Sequence, residues 1–229
     1  MRAAIAIFVK TPSLSPIKTR LAKTIGKEKA EEFYRLSLNA VAKTAQEIDA
    51  KIYWAVAEKE GVNNPIWSEF ESTDTGKGEL GERQYNIYSA LLENHENVIL
   101  VGADAPQISP DIINQAIEEL KKNDFVIGPA NDGGYYLFGG RKEVKLDIWN
   151  AVPWSSNTTR EIFESLLPSK PTHLEFLTDI DIYDDLQAAC NEMPNNLSDE
   201  QLEIIKYITT LSRYTHRRQE HKILRNAGG

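Results

Sequence analysis

Three aspartates and a basic loop are the residues of this chain whose types and spacing could do chemistry. Asp104 comes two residues after the apolar run Val98-Ile-Leu-Val-Gly102, and Asp179 and Asp181 flank Ile180 just after His173-Leu-Glu-Phe-Leu177. Carboxylates placed just beyond strand ends are hard oxygen ligands, suited to magnesium or manganese with substrate phosphates completing the coordination. In an extended segment Asp179 and Asp181 share one face. The plainer readings are that Asp104 caps a turn and that Asp179 or Asp181 caps the helix that follows.

The basic loop is Lys10-Thr11-Pro12 through Lys18-Thr19-Arg20. Up to Gly26 the chain carries Arg2, Lys10, Lys18, Arg20 and Lys23 and no Asp or Glu, on a protein whose net charge is -8. Local positive charge on an acidic protein points to an anionic ligand. A loop ending in a helical turn offers that ligand backbone N–H groups, while Lys and Arg add charge-assisted hydrogen bonds. The glycine spacing of a Walker loop is missing. A solvated loop is the alternative. Two glycine-containing stretches could bring backbone close to a ligand: Asn131-Asp132-Gly133-Gly134-Tyr135-Tyr136, which reads equally well as a hairpin turn, and Gly76-Lys-Gly78-Glu-Leu-Gly81-Glu-Arg83 ahead of a helix.

The elements that must position these residues alternate between strand and helix. Ala3–Val9, Ile52–Ala57, Val98–Val101 and Asp124–Ala130 read as buried strands, with a short strand around Phe70. Lys27–Ile48, Leu80–Leu92 and Asp111–Lys122 read as amphipathic helices, the last with Ser109 as N-cap and Pro110 at its first position. Ile17–Leu21 suggests a helical turn. Tyr135–Phe138 returns from the Asp-Gly-Gly turn as an antiparallel strand. A helix to Leu167, a strand His173–Leu177 and helices over Tyr183–Asn191 and Ser198–Leu211 complete a mixed α/β sandwich.

With 229 residues, 41% hydrophobic and 26% charged, the chain describes one globular domain over residues 1–211 and a basic tail over 212–229. The acidic balance excludes generic nucleic-acid binding. The longest apolar run, Ala3–Val9, is far too short to span a bilayer, so neither a membrane nor a signal peptide is expected and the location expected is cytoplasmic. Cys190 alone excludes an intrachain disulfide or thiolate metal cluster.

Taken in order, Phe8-Val-Lys-Thr-Pro12, Lys18-Thr-Arg-Leu21, Gly78-Glu-Leu-Gly-Glu-Arg83, Gly102-Ala-Asp-Ala-Pro106, Gly128-Pro-Ala-Asn-Asp-Gly-Gly-Tyr-Tyr-Leu137, Pro153-Trp-Ser155 and Asp179-Ile-Asp181 carry a resemblance over about Ala3–Leu186. The chain resembles the bacterial glycosyltransferase-like "transferase type 1" family, which is associated with radical-SAM and selenodomain genes and also labelled arsenosugar-biosynthesis glycosyltransferase. It is similar, too, to phospholactate guanylyltransferase. The resemblance implies a nucleotide-diphospho-sugar transferase (GT-A) fold, with a mixed, mostly parallel sheet flanked by helices. It implies Asp104 and Asp181 as ligands of Mg2+ or Mn2+. It implies Lys10, Thr11, Lys18 and Arg20 on nucleotide phosphates, Gly78 and Gly81 beside the nucleotide, and Asp132, Gly133 and Gly134 on the sugar or acceptor side. Asp104, Lys18 and Arg20 would serve catalysis. Three positions depart from the family: Ala103 stands where a threonine is usual, Ser15 where a glycine is, and Ile182-Tyr-Asp-Asp185 where Thr-Pro-Glu-Asp is.

The expected activity is metal-dependent transfer from a nucleotide-activated donor to a small-molecule acceptor, with glycosyl transfer from a nucleotide sugar first. The alternatives are nucleotidyl transfer from an NTP to a phosphorylated substrate, and a non-catalytic nucleotide-binding module. The base, sugar, acceptor and oligomeric state are not specified by these residues.

Overall fold

A computed structural model describes residues 3–212 of the chain; of the basic tail expected over 212–229, residue 212 still belongs to a helix and the rest lies outside the described residues. Seven strands form one sheet: β1 (Ala3–Val9), β2 (Ala50–Val56), β3 (Glu71–Asp74), β4 (Val98–Gly102), β5 (Phe125–Pro129), β6 (Tyr135–Gly140) and β7 (Thr172–His173). Their order is β3-β2-β1-β4-β6-β5-β7. All neighbours are parallel except β6, which runs antiparallel between β4 and β5. The Asp-Gly-Gly turn thus sends the chain back into the middle of the sheet.

Helices cover both faces, so the central strands are apolar throughout. On β1, Ile5, Ile7 and Val9 enter the core beneath α2 (Lys27–Gln46) and α4 (Pro110–Leu120), which contribute Leu38, Val41, Ile112 and Ile113. Ala6 enters the opposite core, which holds Ile87 and Tyr88 of α3 (Leu80–Leu92), Trp149 of α5 (Leu146–Ala151) and Phe163 of α6 (Thr159–Leu166). A third cluster joins α1 (Thr19–Ile25) and α2 to α7 (Asp185–Asn191) and to a last helix, α8, over 199–212. The Ser109 cap is present, its hydroxyl accepting from the Ile112 N–H at 3.3 Å with Pro110 beginning α4. No helix among the described residues is long and apolar enough to cross a membrane.

Differences from expectation lie at short elements. The expected turn at Ile17–Leu21 is displaced to α1. The last strand is only two residues, with a single further bridge between Ala130 and Leu177. The six-residue α5 was not anticipated, being too short for periodicity to register.

Candidate active site

Parallel sheets place ligands at the carboxyl ends of their strands, and a cleft of about 1000 Å³ opens there. Phe8, Val9 and Lys10 end β1 on its floor, Gly102, Ala103 and Asp104 leave β4, and Asp179 and Asp181 close one side. The loop after β4 is bolted from behind. Ser37 of α2 donates to the Ala103 carbonyl at 2.5 Å, and Gln201 of α8 donates to the Pro106 and Ile108 carbonyls at 3.0 and 3.1 Å. Gln107 then reaches Thr178 O at 2.6 Å and Glu192 at 3.0 Å, while Glu192 also accepts from the Thr178 N–H and hydroxyl at 2.7 and 2.6 Å. Finally, the Ile180 N–H donates to the Asp104 carbonyl at 3.3 Å. These buried bonds bring together aspartates separated by some 75 residues of chain.

The segment Asp179–Asp181 is not a strand, so its two carboxylates reach the cleft without the alternation expected of extended pairing. Neither caps α7. Asp184 is the N-cap residue, without a side-chain bond to the helix, and Asp185 at the first helical position reaches back, its carboxylate accepting from the Asp181 and Ile182 N–H groups at 2.9 and 2.8 Å and so fixing the acidic segment. Nor does Asp104 cap a turn: its Oδ1 meets Lys18 Nζ at 3.0 Å, with the carboxyl side chain 41% exposed. Lys18 Nζ also donates to the Ile180 carbonyl and lies 3.7 Å from Asp181 Oδ1, and Arg20 holds Asp181 Oδ2 at 2.9 Å. Burial by itself pulls the Lys18 ammonium down, but Asp104, Asp179 and Asp181 hold it above its ordinary value.

Three carboxylates face two cations, and the excess negative charge shows at Asp179. Burial, followed by the repulsion of Asp104 and then of Asp181 and Asp132, pushes its carboxyl up to about 8 against the opposing pull of Lys18. Folded Asp179 therefore keeps its proton where the unfolded carboxyl, near 3.8, has lost it. The stability this group contributes is fully present below 3.8 and lost as the pH rises to about 8. In the presence of chelator, this group is expected to lower the melting temperature progressively between about pH 4 and about pH 8, and Asp179→Asn to flatten that decline, as thermal melts across the range would read. An Asp179→Asn protein with an unchanged slope would count against this assignment.

The all-oxygen donor set suits a hard divalent ion. Among the described residues no three His, Cys, Asp or Glu side chains gather closely enough to hold one unaided. Two carboxylates with phosphate oxygens added remain a fitting set, as for magnesium at nucleotide sites.

The other expected site residues divide. Lys10, Lys18, Arg20, Gly78, Asp132 and Gly134 line the cleft; Thr11, Gly81 and Gly133 do not. Thr11 is buried, its N–H donating to Glu58 at 2.8 Å and its hydroxyl accepting from Trp67 Nε1 at 3.3 Å. Gly81 is a packing glycine: a Cβ there would stand 2.6 Å from the Trp149 carbonyl oxygen and 2.2 Å from Trp154 Nε1. Gly133 packs against the backbone of Asn157, itself a cleft residue.

Sequence reasoning missed Arg83, whose guanidinium bonds the carbonyls of Ala57 at 2.7 Å and Gly78 at 2.9 Å and so fastens the glycine loop to the end of β2. It also passed over the wall of Trp154, Ser155, Ser156 and Asn157, where Ser155 adopts φ +61. A non-glycine residue in that region is uncommon, and such strain gathers at ligand sites. Pro153-Trp-Ser155 was legible as a motif, but nothing in its composition marked it as cleft wall.

Among solved structures, the chain is similar to a protein of Desulfovibrio desulfuricans G20 assigned as a nucleotide-diphospho-sugar transferase, with TM-score 0.81, 24% identity and coverage of 93% of this chain and 97% of that one. It is similar to 4-diphosphocytidyl-2C-methyl-D-erythritol synthase of Anaerococcus prevotii DSM 20548 (TM-score 0.53, 16% identity, 83% and 97% covered). A third likeness is to CMP:2-keto-3-deoxy-manno-octonic acid synthetase complexed with CTP (TM-score 0.54, 12% identity, 82% and 96% covered). These likenesses establish the GT-A-like fold. No curated protein matches the chain. The pattern of a bacterial family matches residues 38–156, just over half of the sequence, and the chain belongs to that family, DUF2064, described as an uncharacterized protein conserved in bacteria.

Proposed function

We propose that the protein is a divalent-metal-dependent transferase that moves a glycosyl group from a nucleotide-diphospho-sugar to a small-molecule acceptor. The observation that carries this reading is the charge of the cleft. Lys18 and Arg20 are already paired with Asp104 and Asp181, and Asp179 keeps its proton, so this end of the cleft has little positive charge to spare. A departing nucleotide diphosphate would therefore meet too little positive charge from side chains alone. Asp104 and Asp181 would hold Mg2+ or Mn2+, which when bound supplies Lewis-acid neutralisation of the diphosphate.

In this reading the acceptor oxygen attacks the anomeric carbon, and the bond from that carbon to the diphosphate oxygen breaks with its electron pair. Lys10 on the cleft floor contributes charge to the phosphates, and Gly78, fixed by Arg83, flanks the nucleotide. Asp132, exposed in the cleft with Oδ1 engaged by the Gly134 N–H at 2.8 Å, would accept the acceptor proton. Trp154 and Tyr135 give the cleft apolar faces for a sugar ring.

Nucleotidyl transfer is the second reading. It is supported by the likeness to two cytidylyl-type synthases, one of which binds CTP; there an acceptor oxygen would attack the α-phosphate and release pyrophosphate.

Thermal stabilisation against NTPs and nucleotide sugars, each with and without Mg2+ or Mn2+, tests the proposal. A ligand at about a hundredfold its Kd adds about 2.7 kcal/mol, readily seen as a melting shift. A metal-dependent shift with a nucleotide sugar is the expected result. A shift with an NTP and none with any nucleotide sugar would replace glycosyl by nucleotidyl transfer. No metal-dependent shift at all would leave a non-catalytic module.

A further inference from the structure

Lys18 is an enclosed charge, its side chain 4% exposed although it lies on the cleft wall. Its ammonium bonds Asp104 Oδ1 at 3.0 Å and the Ile180 carbonyl, and pairs with Asp181 Oδ1 at 3.7 Å. Its backbone sits at φ +43, ψ +50 at the head of α1, where its carbonyl accepts from the Ala22 N–H at 2.9 Å. A lysine held in that left-handed conformation is an over-determined residue, fixed by its surroundings at both ends. Arg20 differs: its side chain is 64% exposed and pairs with the other oxygen of Asp181 at 2.9 Å.

The ammonium therefore stands against the very oxygens that a divalent ion would use. A cation of charge two and an ammonium cannot both approach Asp104 and Asp181 without strong mutual repulsion at that range. A phosphate entering the cleft offers the ammonium a replacement anion beside its present one.

We propose that Lys18 is a resident counter-ion that competes with divalent metal for Asp104 and Asp181, and that nucleotide phosphates relieve the competition by taking up its ammonium. The inference rests on the metal-dependent reading above. It makes metal binding to the nucleotide-free protein weak, and makes metal and nucleotide tighten one another by the same factor, as linkage requires. Lys18 is in this respect a positioning residue, since it sets when the carboxylates become available.

The test is Mn2+ binding to nucleotide-free protein, read from the electron paramagnetic resonance signal of free Mn2+, in wild type and Lys18→Met. The variant is expected to bind Mn2+ at least about tenfold more tightly, since a repelling charge has gone and the carboxylates are free. Where Lys18→Met does not fold, the wild type serves. Acylation of the Lys18 amine, followed by mass spectrometry, is expected to accelerate at least about threefold on adding Mn2+, because the displaced ammonium loses its enclosure. Equal Mn2+ affinity in the two proteins, or a labelling rate indifferent to bound Mn2+, would overturn the inference and leave metal-dependent transfer standing. Absence of Mn2+ binding in both proteins, with a nucleoside diphosphate added as well as without it, would overturn the two together.

Discussion

Asp104→Asn is expected to lower turnover by on the order of 10²–10³-fold, about 3–4 kcal/mol of transition-state stabilisation, while leaving the fold intact. The size follows from what the side chain does. Asp104 is 41% exposed in the cleft, and one of its oxygens, Oδ1, is engaged by Lys18 at 3.0 Å. Asparagine keeps an oxygen acceptor for Lys18 and the same shape, but removes the negative charge that a divalent ion needs. The rest of the loop is secured through main-chain groups, by Ser37 on the Ala103 carbonyl and Gln201 on Pro106 and Ile108, none of which the change touches. Removing a carboxylate also relieves Asp179, which Asp104 repels. Stability is therefore expected to move by no more than about 1 kcal/mol. Steady-state turnover and a thermal melt on one preparation separate the two effects. Undiminished turnover would remove Asp104 from the chemistry, and a large loss of stability would recast it as structural.

The fold was legible because its signals are periodic. Runs such as Val98–Val101 could only be strands buried on both faces, and Ser109-Pro110 marked the start of a helix by its chemistry. Lys27–Gln46 carried a stripe of Ala30, Phe33, Tyr34, Leu38 and Val41 at helical spacing, and those side chains are buried. A place on the cleft was legible where a carboxylate follows a strand directly, as at Asp104, or a glycine precedes a helix, as at Gly78; Asp181 also lines the cleft, but eight residues beyond the end of β7. It was not legible where partners are set by tertiary packing. Nothing local distinguishes Gly81, wedged against Trp149 and Trp154, from a glycine that admits a ligand. The same holds for Thr11, whose hydroxyl faces inward to Trp67. Lys18 and Arg20 were expected on phosphates because a basic loop says nothing of its counter-ions; those come from aspartates more than 80 residues away in the chain. Gln107, Glu192 and Gln201, which hold the two acidic segments together, have no sequence signature, since a buried amide is recognised only by the carbonyls it reaches.

Gly133→Ala is expected to cost about 3 kcal/mol or more of stability and to weaken binding of the acceptor, although Gly133 is not on the cleft wall. Two independent causes add. The backbone lies at φ +90, where a side chain is strained. A Cβ would also stand 2.0 Å from the Asn157 carbonyl oxygen and 2.6 Å from its Cα, and backbone cannot swing aside as a side chain would. Relief requires separating the 131–134 turn from the 155–159 loop, and Asp132, Gly134, Ser155 and Asn157 of those two segments face the cleft together. The Arg160 N–H, bonded to the Gly133 carbonyl at 2.9 Å, would be drawn with them and shift the start of α6. Gly134→Ala supplies the comparison. Its φ is ordinary, and its nearest new neighbour would be the Asp132 carboxylate at 3.1 Å, an exposed side chain held by one bond to the Gly134 N–H and able to give by a few tenths of an ångström. A cost of about 1 kcal/mol or less is expected there. Denaturant melts of the two variants, with KM for the acceptor measured beside kcat, distinguish a turn that merely reverses the chain from one that holds two walls of the cleft in register. Equal, small effects at both glycines would assign the Asp-Gly-Gly sequence to hairpin geometry alone.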